Sequence, residues 1–234
     1  MNSTENAPGL FIRGFTPPLR LTDFKLVAFD MDSTLINIEC VDEIAEVAGR
    51  KAEVAAITEA AMRGEIADYK ASLRQRLALL RGVPESALLE VYSRHLQLNP
   101  GVETFVVACR VAGLKTLLVS GGFTFFTERL QQRLALNYTR SNVLEIVDGR
   151  LTGQVIGNIV DAEVKRAALL KLRDELGLKN EQIIALGDGA NDLKFMAEAG
   201  ISVAYHAKPV VRAQATHALN YNGLDGVLNL FVTI

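Results

Sequence analysis

Apolar residues follow two different patterns along this chain. Between residues 40 and 95 they recur at helical spacing, with breaks at Gly49, Gly64 and Pro84, so this stretch predicts helices and no strand. The predicted helices are 40–48, 52–62, 69–80 and 85–96. A block of helices inside a chain that otherwise alternates between helix and strand predicts an all-helical insertion.

From residue 99 onward, short apolar runs alternate with helical segments. The runs at 115–119, 182–186 and 201–204 are continuous, as in strands that a parallel sheet buries on both faces. Helices are predicted at 102–109, 125–134, 163–176, 191–199 and 224–231, and an Asp-Gly turn at 148–149 predicts a hairpin over 143–155. This alternation predicts an α/β fold with a parallel sheet and right-handed crossovers.

The pattern divides the chain into three parts. Residues 1–23 contain several glycines and prolines and are expected to form an irregular tail or edge segment. Residues 24–38 and 99–234 are expected to form the core, and residues 39–98 the helical insertion.

Composition narrows the possible functions. The chain has 234 residues, 49% of them apolar, which is enough for a sizeable core. A net charge of −2 and a pI near 6.0 provide no basic field that would attract nucleic acid or an anionic membrane. Cys40 and Cys109 have no C-x-x-C partner, which argues against a structural zinc and a disulfide framework. The sequence shows no leader and no membrane-spanning run, so it predicts a cytoplasmic protein.

Candidate chemistry lies directly after three of the predicted strands. Asp30 and Asp32 follow an apolar run at 25–29, Ser120-Gly121-Gly122 follows a second strand, and the hexapeptide G-D-G-A-N-D at 187–192 follows a third. In a doubly wound sheet these strand ends share one edge, so Ser120 and the acids are expected to converge there. The plain alternative for the first pair is an ordinary Asp-rich turn.

The predicted convergence brings four carboxylates together, those of Asp30, Asp32, Asp188 and Asp192. Such a group requires a positive charge, since each like-charge pair costs roughly 4 kcal/mol at 4 Å. An all-oxygen ligand set without His or Cys favours Mg²⁺. Lys165, at the start of a predicted helix, is a candidate second cation, although a lone lysine on a helix is more often a solvated surface residue.

The glycines and the amide in these segments fit an anion site. Gly121 and Gly122 allow close backbone approach and offer N–H donors at the start of a helix, although a flexible turn is the simpler interpretation. Asn191 has an equally simple interpretation as a helix N-cap. Neither G-x-G-x-x-G nor the P-loop pattern occurs, which argues against a dinucleotide or P-loop nucleotide site.

These segments together resemble a known family. D-M-D-S-T at 30–34, S-G-G-F at 120–123, Lys165 and G-D-G-A-N-D at 187–192 resemble, in order and spacing, the four motifs of the haloacid dehalogenase superfamily of phosphatases. The resemblance covers about residues 25–230. It implies a Rossmann-like α/β core with helices on both faces, an inserted all-helical cap that closes over the site, and a Mg²⁺-dependent phosphoaspartyl mechanism.

The resemblance also implies a role for each matching residue. Asp30 is implied to be the nucleophile, and Asp32 the acid that protonates the leaving alcohol and then activates water. Mg²⁺ is implied to bind Asp30, Asp188 and the Asp32 carbonyl, with Asp192 in an outer position. The residues implied to contact the substrate phosphate are Ser120, Lys165, Gly121, Gly122 and Asn191.

Two charged residues in the insertion bear on the substrate. Glu39 and the S-L-R-Q-R run at 72–76 are similar to the phosphoserine phosphatase branch of the superfamily. Arg76 shares a helix stripe with apolar residues, so it either meets a partner or reaches water with its head group. The resemblance implies that Arg76 binds a carboxylate and Glu39 an ammonium. Met62 and Tyr69 are weaker candidates for the apolar side of this pocket, and Tyr69 stands where phenylalanine is common.

The branch implies hydrolysis of free O-phospho-L-serine to L-serine and phosphate, the last step of serine biosynthesis, by a monomer or homodimer. The alternative within enzymes is a phosphatase or phosphotransferase for another small phosphorylated amine or amino acid, such as phosphoethanolamine or phosphohomoserine. A non-catalytic protein that keeps the fold is a further alternative, and the presence of Asp30, Asp32, Lys165 and Asp188 argues against it.

Overall fold

The computed structural model describes residues 4–13, 19–62, 65–66 and 68–232, without the side chain of Met62. Its strands are β1 Thr4–Ala7, β2 Leu10–Ile12, β3 Leu26–Phe29, β4 Lys115–Phe123, β5 Tyr138–Val147, β6 Arg150–Ile156, β7 Ile183–Gly187, β8 Ile201–Tyr205 and β9 His217–Leu219. Within the described residues they form a nine-stranded sheet in the order β1-β2-β9-β8-β7-β3-β4-β5-β6. The six strands from β9 to β5 in this order are parallel, and the pairings β1–β2, β2–β9 and β5–β6 are antiparallel.

Helices cover both faces of this sheet. They are α1 Cys40–Val47, α2 Lys51–Met62, α3 Tyr69–Leu79, α4 Ser86–Glu90, α5 Val102–Val111, α6 Thr124–Leu134, α7 Ala162–Glu175, α8 Leu193–Met196 and α9 Pro209–Arg212. Val27 and Phe29 pack into one hydrophobic cluster, whereas Leu26 and Ala28 pack into a second cluster with Leu169 of α7. Alternate residues of β3 therefore serve two cores, and the predicted α/β fold with helices on both faces is confirmed.

Three predicted helices differ from the observed ones. The segment at 85–96 divides into α4 and a π-helix at Val91–His95, and the last helix is the 3₁₀ helix Leu224–Leu230. The segment at 191–199 begins as a 3₁₀ turn, Ala190–Asp192, and continues as the short α8. The Asp192 carboxylate closes this turn by accepting a hydrogen bond from the Gly189 N–H at 3.0 Å.

Residues 1–23 are expected to form an irregular tail or edge segment; residues 4–12 do lie at the edge of the sheet, but as a hairpin rather than as irregular chain. β1 and β2 form an antiparallel hairpin that extends the sheet, and Leu10 pairs with Leu219 of β9. Leu10 and Ile12 are buried, so burial of these alternate side chains stabilises the added strand. β9, which pairs with β2, is only three residues long, and the pattern of apolar residues does not predict it. Without β9, the sequence gives no partner for a strand at residues 10–12. Residues 1–3 and 14–18 of the predicted tail lie outside the described residues.

The helices α1–α4 follow β3 and precede α5, as predicted for the insertion. The two chain segments that connect these helices to the rest of the protein run side by side, since the Asn37 N–H donates to Gln97 O at 3.0 Å. On the far side, the loop before α4 pairs with the β5–β6 hairpin. Gly82 N–H donates to Leu151 O at 2.8 Å, and Leu151 N–H donates to Val83 O at 2.8 Å. The division of the chain at residues 39–98 stays a prediction.

Within the described part of the chain, no helix is both long and apolar enough to cross a membrane.

The buried His217 of β9 is expected to make the folded protein less stable in acid. Burial lowers the pKa of His217 from 6.5 to about 4. Between these values the unfolded chain binds a proton that the folded chain does not, so stability falls as the pH drops from 6.5 towards 4. This proton binding lowers the free energy of unfolding at pH 5 by about 2 kcal/mol relative to pH 7.5.

Urea unfolding at pH 7.5 and pH 5 measures this effect. Between pH 7.5 and pH 5, we expect the free energy of unfolding to fall by about 2 kcal/mol less in His217→Gln than in the wild type. The variant lacks the imidazole, and the carboxyl groups titrate alike in both proteins. His206→Gln, at an exposed position, is the control and should behave like the wild type. The same pH dependence in His217→Gln and wild type would refute the assignment.

Candidate active site

Strand ends bring three carboxylates together. Asp30 directly follows β3 and Asp188 directly follows β7, and the Asp30 N–H donates to Leu186 O at 3.0 Å. Asp192 closes the turn after β7. One carboxylate oxygen from each of Asp30, Asp188 and Asp192 lies within 4.8 Å of the others. The convergence predicted for these acids is therefore present, and an ordinary Asp-rich turn does not describe it.

Lys165 is buried between two of these acids. Its Nζ donates to Asp30 Oδ1 at 2.5 Å and to Asp192 Oδ1 at 2.8 Å, and the residue is 1% exposed. Burial disfavours the ammonium, but the Asp192 and Asp30 carboxylates outweigh it and raise the pKa of Lys165. The interpretation of Lys165 as a solvated surface residue is wrong, because α7 directs its first turns towards the end of β3 and β7.

The buried Lys165 ammonium and the nearby Lys208 leave the acids short of positive charge. Burial, followed by the Asp192 carboxylate, raises the pKa of Asp30 well above its ordinary range despite the Lys165 ion pair. Burial, Asp192 and Glu39 together raise the pKa of Asp188 to about 7. An all-oxygen cluster with unbalanced negative charge is the donor set that a hard divalent cation prefers, so these residues fit such an ion.

The three acids are not equivalent as ligands. Asp192 is already engaged on both oxygens, by Lys165 and by the Gly189 N–H. Asp188 Oδ1 accepts only a long hydrogen bond, from Thr34 Oγ1 at 3.4 Å. This arrangement leaves Asp188 more available to a cation than Asp192, which instead holds Lys165 in place.

Asp32 occupies a different environment from Asp30. Its Oδ2 accepts a hydrogen bond from the Cys40 N–H at 3.4 Å, whereas the buried Oδ1 has no hydrogen-bond partner among the described residues. Burial and the nearby Glu39 carboxylate raise the pKa of Asp32 to about 8, although the Cys40 hydrogen bonds lower it. Asp32 is therefore protonated over much of the neutral range and has one free oxygen with which to exchange a proton.

Ser120, Gly121 and Gly122 lie inside β4, one strand away from Asp30. The two glycines precede α6, which begins at Thr124, but they belong to β4, because the strand continues to Phe123. Gly122 N–H already donates to Ser120 Oγ at 2.8 Å. A Cβ atom on Gly122 would lie 2.5 Å from the Met31 Cε atom, so close packing explains this glycine.

Glu39, at the start of α1, and Arg76, on α3, are close enough for the Arg76 guanidinium to influence the Glu39 carboxylate. Glu39 Oε1 accepts a hydrogen bond from Ser33 Oγ at 2.7 Å, and Ser33 has a positive φ of 57°. Burial raises the pKa of Glu39, while the Ser33 hydrogen bond and the Arg76 guanidinium lower it. The buried Arg76 Nε has no hydrogen-bond partner within the described residues. Arg76 thus lies near acids of α1, including Asp42, and keeps a donor free.

The remaining candidates are placed as follows. Tyr69 begins α3 and brings its hydroxyl oxygen against Gly121. Asn191 lies inside the 3₁₀ turn after β7 and caps neither that turn nor α8, so its interpretation as an N-cap is wrong. The side chain of Met62 lies outside the described residues, and its role stays a prediction.

Sequence reasoning missed several supporting residues. Asn142 is buried in β5, donates from Nδ2 to Gly121 O at 2.7 Å, and accepts from the Val160 N–H at 2.8 Å. Only the pairing of β4 with β5 places Asn142 there, and no local motif signals it. Ser33 directly follows Asp32 in the sequence, and Cys40 directly follows Glu39. This adjacency to two candidate residues is the signal from which their supporting roles could have been predicted.

Comparison with known proteins agrees with this geometry. The family model described as a haloacid dehalogenase-like hydrolase matches residues 24–200. The chain is 63% identical to a phosphoserine phosphatase from Polaromonas sp. (strain JS666), over 98% of this chain and 99% of that protein. It is 61% identical to a phosphoserine phosphatase from Albidiferax ferrireducens, over 99% of each chain.

Solved structures show the same architecture. A phospho-aspartyl intermediate analogue of phosphoserine phosphatase superposes with a TM-score of 0.83 at 34% identity, covering 89% of this chain and 99% of that chain. An unliganded probable phosphoserine phosphatase from Vibrio cholerae superposes with a TM-score of 0.81 at 45% identity, covering 90% of this chain and 65% of that chain. From its family match, its relatives and its fold, the chain belongs to the haloacid dehalogenase-like hydrolase family.

Proposed function

We propose that this protein hydrolyses O-phospho-L-serine to L-serine and phosphate through a phosphoaspartyl intermediate. The observation that carries the proposal is the pairing of Asp30, held by Lys165, with Asp32, whose Oδ1 has no hydrogen-bond partner among the residues that the structure describes. Relatives at 63% and 61% identity over nearly the whole chain are named phosphoserine phosphatase. Action in the cytoplasm as the last step of serine biosynthesis is part of the same proposal.

The two acids divide the reaction between them. An Asp30 oxygen attacks phosphorus and forms an acyl phosphate, while the bond from phosphorus to the serine oxygen breaks. Asp32 gives its proton to the departing serine oxygen, which is a poor leaving group as an alkoxide. Asp32 then takes a proton from water, the hydroxide attacks phosphorus, and Asp30 is released with inorganic phosphate.

Mg²⁺ is the divalent cation we propose for the acid cluster. Asp30, Asp188 and the Asp32 backbone carbonyl would hold it, and Asp192 would keep Lys165 in position. When bound, the ion supplies positive charge that offsets repulsion between the carboxylates and the phosphate and stabilises the transferring phosphoryl group. Lys165, at hydrogen-bond distance from Asp30, contributes a second positive charge.

The remaining residues bind the two ends of the substrate. Ser120, Lys165 and Asn191, with the backbone at Gly121 and Gly122, would surround the phosphate. At the other end, Arg76 would bind the serine carboxylate through its guanidinium, and Glu39 would accept the ammonium. The high identity to phosphoserine phosphatases does not favour the alternative substrates, phosphoethanolamine and phosphohomoserine, or a phosphotransferase reaction.

Phosphate release from O-phospho-L-serine tests the reaction and the cation together. We expect EDTA to abolish release and Mg²⁺ to restore it, because the acid cluster requires a positive charge. Asp30→Asn should lower kcat by about 10³-fold or more, and acid-quenched wild type should retain phosphorus on Asp30. Asp174→Asn, at an exposed site on α7, is the control and should keep full activity. An active Asp30→Asn variant would overturn the mechanism.

Arg76→Ala tests the assignment of the carboxylate site. Loss of a charge-assisted hydrogen bond should lower kcat/KM for phosphoserine by about 100-fold, but should change kcat/KM for phosphoethanolamine, which has no carboxylate, by less than about threefold. Arg74→Ala, exposed on the same helix, is the matched control and should affect neither substrate. Equal losses on both substrates would show that Arg76 acts through the structure of the insertion instead.

A further inference from the structure

Gly121 leaves space beside β4 that a side chain would fill. Its φ is not positive, and it lies in the stretch of β4 where the pairing with β5 shifts register, between Val119 and Phe123. A Cβ atom added at Gly121 would overlap the hydroxyl oxygen of Tyr69 and would lie 3.3 Å from the Tyr69 Cζ atom. The missing side chain therefore leaves the space into which the Tyr69 hydroxyl fits.

The core side of this contact is fixed. Asn142 is 2% exposed and binds two backbone groups at once, Gly121 O at 2.7 Å and Val160 N–H at 2.8 Å. A buried side-chain amide that satisfies both its donor and its acceptor in this way restricts the local backbone. Gly121 has little freedom to move away from an incoming side chain.

The insertion side is fixed as well. Tyr69 is the first residue of α3, and the Asp68 side chain caps this helix by accepting from the Ala71 N–H at 2.7 Å. The next residue, Lys70, forms an ion pair with Asp161 at 2.8 Å, and Asp161 in turn caps α7 through the Val164 N–H. The start of α3 is therefore docked against the core at two adjacent residues.

Tyr69 and Arg76 are seven residues apart on α3 and lie on the same face of the helix. We propose that the Tyr69 hydroxyl, seated in the space left by Gly121, is a positioning element that sets where α3 presents Arg76 to the substrate. This inference rests on the proposed function for its substrate. It adds a role for Tyr69 beyond lining the apolar side of the pocket, and it makes Gly121 and Tyr69 a matched pair.

Compensating variants test the pair. Gly121→Ala should lower kcat/KM for phosphoserine by about 100-fold, mainly through KM, because the added methyl group displaces Tyr69 and with it Arg76. Tyr69→Phe removes the hydroxyl and should cost about fivefold alone. In the double variant, the lost hydroxyl makes room for the methyl group, and we expect recovery of about tenfold or more over Gly121→Ala.

Gly122→Ala provides the matched control. Its added methyl group would meet Met31 and Ser120 rather than Tyr69, so Tyr69→Phe should not rescue it. Rescue of both glycine variants, or of neither, would overturn the proposal. A loss in Tyr69→Phe that exceeds the loss in Gly121→Ala would also overturn it, by showing that the hydroxyl acts directly on the substrate.

Hydrogen exchange of the ligand-free protein tests the same contact without activity. Peptides from α3 should exchange about tenfold faster in Gly121→Ala than in wild type and should return towards the wild-type rate in the double variant. Unchanged exchange in Gly121→Ala would refute the contact. If the wild type released no phosphate from phosphoserine, the proposed function would fail, and the exchange result would still decide whether Tyr69 and Gly121 hold α3.

Discussion

The ion pairs of Lys165 with Asp30 and Asp192 are the interaction on which the candidate site depends. Three carboxylates approach within 4.8 Å of one another, and Lys165 is the cation that the described chain places among them. A buried ammonium is stable there only because two carboxylates surround it. In turn the ammonium offsets part of the effect of burial, which raises the pKa of Asp30 at the end of β3. The central strands, α7 and the turn after β7 are thus connected by electrostatics as well as by packing.

The environments of Asp30 and Asp32 give two identical side chains different chemistry. Asp30 is ion-paired with the Lys165 ammonium, which lowers its pKa, although burial and the Asp192 carboxylate raise it by more. Within the described residues Asp32 has no such ion pair, and burial beside the Glu39 carboxylate raises its pKa to about 8. A nucleophile must lose its proton and a general acid must hold one at the same pH, so the carboxylate beside the ammonium is the one suited to be the nucleophile. One intervening residue is enough to separate them because the chain leaves the sheet between them.

The sequence predicted the α/β architecture and the meeting of the acids at the strand ends, because both depend on local signals. Continuous apolar runs marked β3, β4, β7 and β8, and polar groups at three strand ends marked the site. Residues whose position depends on tertiary pairing were harder to predict. For Lys165, helical periodicity alone left a surface role as the simpler interpretation, because periodicity does not show which strand ends lie beside α7, and its place in the site came from the family resemblance. Asn142 and the strand at Leu10–Ile12 gained their roles from partners distant in sequence, β4 and β9.

The backbone pairing between the loop at 82–85 and the β5–β6 hairpin has a mechanical consequence. The helical insertion is attached to the sheet by two covalent connections at one end and by hydrogen bonds to the hairpin at the other. A rotation of the helices about the covalent connections would have to bend the hairpin. Such a rotation would therefore deform β5 and β6 together with the helices, unless the hydrogen bonds to the loop at 82–85 broke.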